Sequence, residues 1–341
     1  LNTLFNQVGN TYPIPNFERL RDEGAGTLAA HIDNNTYETL PNHTSIITAR
    51  PQAVGTIIGH NWTQNGEPIT STIHANKTVW LPGETHYVYS VFDVAHDNGL
   101  RTGMYANKTK FSLFDNTGYA LGGGSYNATY GAIDTTGPDN NGRRKLDNTY
   151  INTSLGGTIA DTYIANQKAN PMQFAFLHFN NPDSAGHGSG WGSDNYYDSV
   201  VAVDVMLGKI FSLIEEVGSP MKDKTAIILT ADHGYQGAPG ANTYSVPFYV
   251  WGPGVDVGAD LYALNALNRK VASSYPMITY GGIQPIRNAE ASNLALEFLG
   301  LGPIPGSTFN YAQDLQVPEP ATMGLLALGG LALLRRRRKA A

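Results

Sequence analysis

Two short apolar runs, Met172 to Phe179 and Thr225 to Leu229, each stop a few residues before an aspartate and a histidine. That pattern constrains the fold more than any other in the chain. Apolar and aromatic residues in unbroken runs of strand length suit strands covered on both faces, as in sheets wrapped by helices. Between the two runs, Tyr196 to Glu216 carries Val200, Val203, Leu207, Ile210 and Leu213 at helical spacing. Helices are also expected over Pro15 to Glu23, over Asn42 to Ala49 with Pro41 near the first turn, and over Asn288 to Leu299 before the Pro303–Pro305 segment. Tyr87 to Asp97 is amphipathic and leads into a strand over Thr102 to Tyr105, and Val246 to Trp251 is a further strand. The alternation predicts an α/β fold, a mainly parallel central sheet with helices on both faces. Glycine-rich Gly118–Gly124 and Thr135–Gly142 read as long loops over that scaffold.

Ligands of such sheets bind beyond the carboxyl ends of the strands. Asp183 and His187 follow the first run, Asp232 and His233 the second, so the pattern puts both pairs on one rim. The chain has no cysteine, which excludes thiolate metal sites, cysteine nucleophiles and disulfides. Carboxylate with imidazole is then the donor set that a divalent cation of the zinc kind prefers. Gly186, between Asp183 and His187, is expected to allow a tight bend in a loop.

Thr39 stands where a helix begins. Threonine is a common N-cap there, yet the same position presents unpaired N–H groups to an anion. A metal at its hydroxyl would make an alkoxide accessible at neutral pH. Asn42, one turn on, is placed to donate its amide to a phosphoryl oxygen, while His43 is expected to pack or hydrogen-bond locally. His60, His96 and His178 read as structural or pocket-lining. Lys108 and Lys110 would reach an anionic substrate, but a solvated loop face is the plainer reading.

Three segments together, Thr39-Leu40-Pro41-Asn42-His43-Thr44-Ser45, Asn180-Asn181-Pro182-Asp183-Ser184-Ala185-Gly186-His187 and Thr230-Ala231-Asp232-His233-Gly234, resemble the type I phosphodiesterase/nucleotide pyrophosphatase family of the alkaline phosphatase superfamily. The similarity runs from about Pro15 to Pro305. It implies an alkaline phosphatase-like fold and a metal-dependent phosphoester hydrolase with two divalent ions, zinc by preference. By the resemblance Thr39 is nucleophile and metal ligand, and Asn42 holds the phosphoryl group. Asp183 and His187 bind one ion; Asp232 and His233 bind the other. A phosphothreonine intermediate follows from the same likeness.

Two departures stand out. The family's upstream strand with an Asp-Gly pair has no counterpart after Leu1, so the first strand is expected to be missing from a domain over residues 1–312. A late histidine past the closing helix is replaced by Gly306-Ser307-Thr308-Phe309-Asn310, where Thr308, Asn310 or a water would have to substitute. A sulfatase would need Cys/Ser-X-Pro-X-Arg where this chain has Thr-Leu-Pro-Asn-His. A phosphomonoesterase stays open, although no arginine is placed to grip a dianion. A non-catalytic surface or matrix protein that keeps the fold is the reading from a different class.

Residues 313–341 read as a linker and tail. Val317-Pro318-Glu319-Pro320 precedes an apolar run from Ala321 to Leu334 and then Arg335 to Arg338 with Lys339. As a helix the run spans about 21 Å, short of the ~30 Å hydrocarbon core, with arginines able to snorkel. These three parts resemble the PEP-CTERM sorting signal, which implies export, an exosortase-type partner, a membrane contact through 321–334, and a final place at the surface, periplasm or matrix of a Gram-negative bacterium. Removing the five tail cations from the net charge of −6 leaves the body at −6 − 5 = −11. So acidic a body excludes non-specific nucleic-acid binding, and the expected partner is a phosphoester substrate.

Overall fold

The computed structural model describes residues 1–33, 37–52, 60, 79–81, 84–86, 89–114, 145–154, 156–236, 240–277 and 279–317. Strands in chain order are β1 (Ala25–His31), β2 (Val79–Leu81), β3 (Glu84–His86), β4 (Thr102–Ala106), β5 (Asn148–Ile151), β6 (Phe174–His178), β7 (Ile227–Thr230), β8 (Ser245–Trp251) and β9 (Ala259–Asp260). They form a sheet β5-β4-β6, a sheet β7-β8-β1-β9 and a hairpin of β2 with β3. The first is parallel throughout. The second is mixed, because β8 runs antiparallel to both β7 and β1. Parallel neighbours need a full crossover unit, and only the four-residue helix Ala241–Tyr244 lies between β7 and β8.

The α/β class expected from the alternation holds, with helices packed on both faces. All five residues of β4 are buried. One face meets the Thr39–Thr48, Val91–Asp97 and Ala291–Phe298 helices through Ile46, Ile47, Phe92, Met104 and Leu296. The other meets the Gly156–Ala169 and Asp194–Glu215 helices through Tyr105, Ile159, Tyr163 and Leu213. The Val91–Asp97 helix starts at Ser90, which forms a capping box with Asp93 and cuts the expected 87–97 element short.

By contrast β6 and β7 are only half-buried although they are apolar. Each stands at the end of its sheet, paired along one side only among the described residues. Both were expected as fully covered strands.

Among the elements that escaped the sequence pattern are β1, β5, the Gly156–Ala169 helix, and a helix over Asn181–Ser189 where a bent loop was expected. At the other end Leu315 and Val317 are buried among β1 and β8 residues, so packed structure continues through Val317. The Gly118–Gly124 and Thr135–Gly142 loops and the apolar run 321–334 lie outside the described residues. Among the described residues no helix is long and apolar enough to cross a membrane.

His31, at the end of β1, is nearly parallel to Tyr244 and Tyr275, with ring centroids 5.8 and 5.7 Å away. Its Nε2 accepts from the Met277 N–H at 3.2 Å, which fixes the proton on Nδ1 facing the Ile32 carbonyl. Burial, and then Arg287, hold its pKa down to about 4. A histidine with a depressed folded pKa binds fewer protons folded than unfolded, so its contribution is present above pH 6.5 and drains away as pH falls toward 4. Urea midpoints are expected to drop over that window by roughly 3 kcal/mol of stability, and His31→Gln to flatten the drop.

Candidate active site

The Thr39–Thr48 helix is buried along its whole length despite being half polar. It solves this internally: Thr44 and Thr48 donate to the carbonyls of Leu40 and Thr44 at 2.8 and 2.6 Å, and His43 Nδ1 to that of Thr39 at 2.7 Å. Ser45 Oγ donates to the buried Asp33 carboxylate at 3.0 Å and ties the helix to the segment after β1. Glu38, not Thr39, occupies the N-cap, without a side-chain cap bond. The Thr39 hydroxyl is therefore not used as a cap.

It meets Lys108 instead. The Lys108 ammonium donates to Thr39 Oγ1 at 3.3 Å and to Asp183 Oδ2 at 2.7 Å. Thr39 is thus brought within one lysine of Asp183. Lys108 is not on a solvated face: its side chain is 16% exposed.

Asp183 lies in the first turn of the Asn181–Ser189 helix, with Pro182 opening it. His187 follows one turn later on the same face, its Nε2 3.4 Å from Asp183 Oδ1. Helical i,i+4 spacing, not a bend, pairs them. The role of Gly186 is space: a Cβ there would lie 2.6 Å from the Trp191 ring. Trp191 in turn meets His187 and Tyr235 edge-on, at 5.8 and 6.0 Å between centroids.

Asp232 and His233 leave β7 on a loop held by Asn288 Nδ2, which donates to the Ala231 and Asp232 carbonyls at 3.1 and 3.2 Å. Gly234 is required next, because a Cβ would fall 2.0 Å from the Asn242 carbonyl oxygen. His233 Nδ1 donates to the Gly234 carbonyl at 2.9 Å, leaving the Nε2 lone pair 3.5 Å from Asp232 Oδ2. His43 Nδ1 lies 3.5 Å from the same oxygen. Through His43, which bonds Thr39, the second couple is also joined to the helix start.

Burial pushes the Asp232 carboxyl up, but His233, His43, His178 and Lys108 outweigh it and hold it well below the usual carboxylate range. Burial keeps His43 and His178 below the ordinary imidazole value, His178 strongly so. His178 sits edge-on to His43 at 5.0 Å and pairs through Nδ1 with Asn107 Oδ1 at 3.0 Å. It packs against His43 and is one of the histidines read from the sequence as structural or pocket-lining.

The donor types suit a divalent cation. His233 Nε2 has the Gln236 amide nitrogen at 3.4 Å and Asp232 Oδ2 at 3.5 Å, and a cation would join the two acceptors. The number of donors is lower than zinc takes: each couple supplies two, and among the described residues no group of three or more His, Asp or Glu is arranged to hold a metal ion.

Asn42 donates Nδ2 to the Glu38 carbonyl at 3.0 Å. The proposed substitutes for the late histidine do not serve. Thr308 and Phe309 N–H donate to the carbonyl of Ala49, past the far end of the ten-residue Thr39–Thr48 helix, about 15 Å from Thr39. Asn310 Oδ1 is taken by the N–H groups of Asp314 and Leu315. Lys108 and His43 are what the sequence pattern underrates. Their only signals are an anion within reach and a histidine next to the Pro-Asn turn.

Comparison with known proteins gives the family and the fold. Residues 3–274 match the family model described as type I phosphodiesterase/nucleotide pyrophosphatase. Residues 316–339 match the PEP-CTERM protein-sorting motif, which implies export and exosortase-type processing in Gram-negative bacteria. GPI ethanolamine phosphate transferase 1 of Saccharomyces cerevisiae is 36% identical over 119 residues, 33% of this chain and only 12% of that protein. The structure of human ectonucleotide pyrophosphatase/phosphodiesterase 5 is similar with a TM-score of 0.53 at 11% identity, over 90% of this chain and 95% of the other. The lipoteichoic acid synthase LtaP of Listeria monocytogenes gives 0.51 at 11%, over 87% and 68%. At such identities the two structures speak for the fold alone, which is alkaline phosphatase-like. With the family model spanning most of its length, the chain belongs to the type I phosphodiesterase/nucleotide pyrophosphatase family.

Proposed function

We propose that the protein is a metal-dependent phosphodiesterase acting through Thr39. The observation that carries this is the convergence on Thr39 of Lys108, paired with Asp183, at its hydroxyl and of His43, beside Asp232, at its backbone carbonyl. Divalent cations held by Asp183 with His187 and by Asp232 with His233 would neutralise phosphoryl charge and lower the threonine hydroxyl pKa. Thr39 Oγ1 attacks phosphorus as its proton passes to solvent, and the bond to the leaving oxygen breaks in line as that oxygen takes up a proton. Water then adds to phosphorus, the threonine–phosphorus bond breaks, and Thr39 regains its proton. Asn42 sits one turn along the same helix to steady a phosphoryl oxygen. The tail at 321–334 would tether the exported body to the inner membrane before sorting to the surface, periplasm or matrix.

The test is acid quenching during turnover of bis(p-nitrophenyl) phosphate, followed by peptide mass analysis. The Thr39 peptide is expected to carry the substrate less one nitrophenol; a modification-free peptide under burst conditions removes the covalent route. The stretch shared with the yeast transferase favours a second reading, in which an alcohol rather than water takes the group from Thr39. Supplying ethanolamine during turnover distinguishes them, since only transfer yields a new diester.

A further inference from the structure

Lys108 is a half-buried cation that the two carboxylate–imidazole couples do not account for. It lies two residues past β4, the central strand of the parallel sheet. Its backbone is pinned by the preceding Asn107, itself buried, whose Oδ1 accepts from the Asn180 N–H at 3.0 Å and pairs with His178 Nδ1 at 3.0 Å. The ammonium is therefore delivered to a fixed place rather than swept through solvent. It has three N–H donors in tetrahedral array. One goes to Asp183 Oδ2 and one to Thr39 Oγ1, and no third partner is present among the described residues. An N–H given to a hydroxyl oxygen favours its anionic form, and a fixed positive charge beside phosphorus stabilises charge that grows as the bond forms.

We propose that Lys108 is a catalytic residue, holding the Thr39 oxygen for attack and giving its third N–H to a non-bridging oxygen of the phosphoryl group. The proposal rests on Thr39 as nucleophile. Asp183 then has a second task, aiming the ammonium. Nothing else at the site grips that oxygen from the β4 side: Lys110, the neighbouring cation, makes no contact with Thr39 among the described residues.

The test uses the full chain with divalent metal present, comparing wild type, Lys108→Met, Lys108→Gln and Thr39→Ala. Lys108→Met is expected to lower kcat/KM for an aryl phosphodiester by about 10²–10³-fold, as loss of one such donor does. Tungstate, a non-reacting anion of phosphate shape, should bind at least about tenfold more weakly by calorimetry. With the two diastereomers of a phosphorothioate diester, the rate ratio should change by about tenfold in the variant, because sulfur replaces the gripped oxygen in only one. A residue that merely packs would slow both diastereomers equally, and that result overturns the proposal. So does Lys108→Met activity within about threefold of wild type. If Lys108→Met does not fold, Lys108→Gln, which keeps N–H donors and drops the charge, carries the same measurements. Activity retained in Thr39→Ala would sink the nucleophile reading first; an inactive Thr39→Ala beside an active Lys108→Met sinks only the lysine.

Discussion

Thr39→Ala is expected to remove turnover of an aryl phosphodiester, by about 10⁴-fold or more, while leaving the fold in place. Losses of that size follow removal of a nucleophile that acts as part of a unit. The structural cost is small because Thr39 is the first helical residue, alanine is the best helix former, and the N-cap is Glu38. The Thr39 hydroxyl takes a single hydrogen bond among the described residues, from Lys108 at 3.3 Å, so thermal unfolding should move by about 1 kcal/mol or less. Thr39→Ser keeps a hydroxyl on the same carbon and should keep part of the rate. Activity within tenfold of wild type in a folded Thr39→Ala protein would take Thr39 out of the chemistry and leave the Lys108 contact at its hydroxyl without a purpose.

Arg287→Met carries the largest expected effect on stability. Arg287 is fully buried, and its guanidinium donates to the carbonyls of Ile32, Asp33 and Met277 at 3.3, 3.4 and 2.8 Å. It also stands over the Tyr280 ring at 5.0 Å and 4.0 Å from Asp33 Oδ1. Asp33 is equally buried, taking Tyr280 OH, the Gln52 N–H and Ser45 Oγ. Burial pushes the Asp33 carboxyl up, and Arg287 is the chief opposing charge. Without the arginine a buried carboxylate is left uncompensated, at a cost of about 3–5 kcal/mol. The sign with pH is fixed: an acid whose folded pKa is raised binds more protons folded, so stability falls as pH rises. The deficit should be larger at pH 8 than at pH 5, and adding Asp33→Asn should recover part of it. A deficit that is flat with pH would show that packing, not charge, is responsible. Ser45 sits on the helix that begins at Thr39, so the same change should also slow catalysis.

The site motifs were legible because each sits next to its strand: Asp183 and Asp232 follow β6 and β7 within a few residues. The geometry of each was less so. Pro182 and Gly186 look like turn residues, yet Pro is at home in a first helical turn and Gly186 is there to admit the Trp191 ring. The strand Ala25–His31 is made of small residues with no alternation. The antiparallel direction of β8 depends on pairing with strands far away in sequence. Lys108 shows the limit most clearly: nothing local distinguishes a lysine that reaches 2.7 Å from Asp183, seventy-five positions away, from one on a wet loop.

The half-covered strands β6 and β7 carry a further consequence. Each presents a row of amide and carbonyl groups with no neighbour among the described residues, on apolar segments without a charged guard. Such seams are templates for adhesion between molecules. A preparation of these residues by themselves should therefore be sensitive to protein concentration, forming soluble clusters that a short complementary β-forming peptide would disperse.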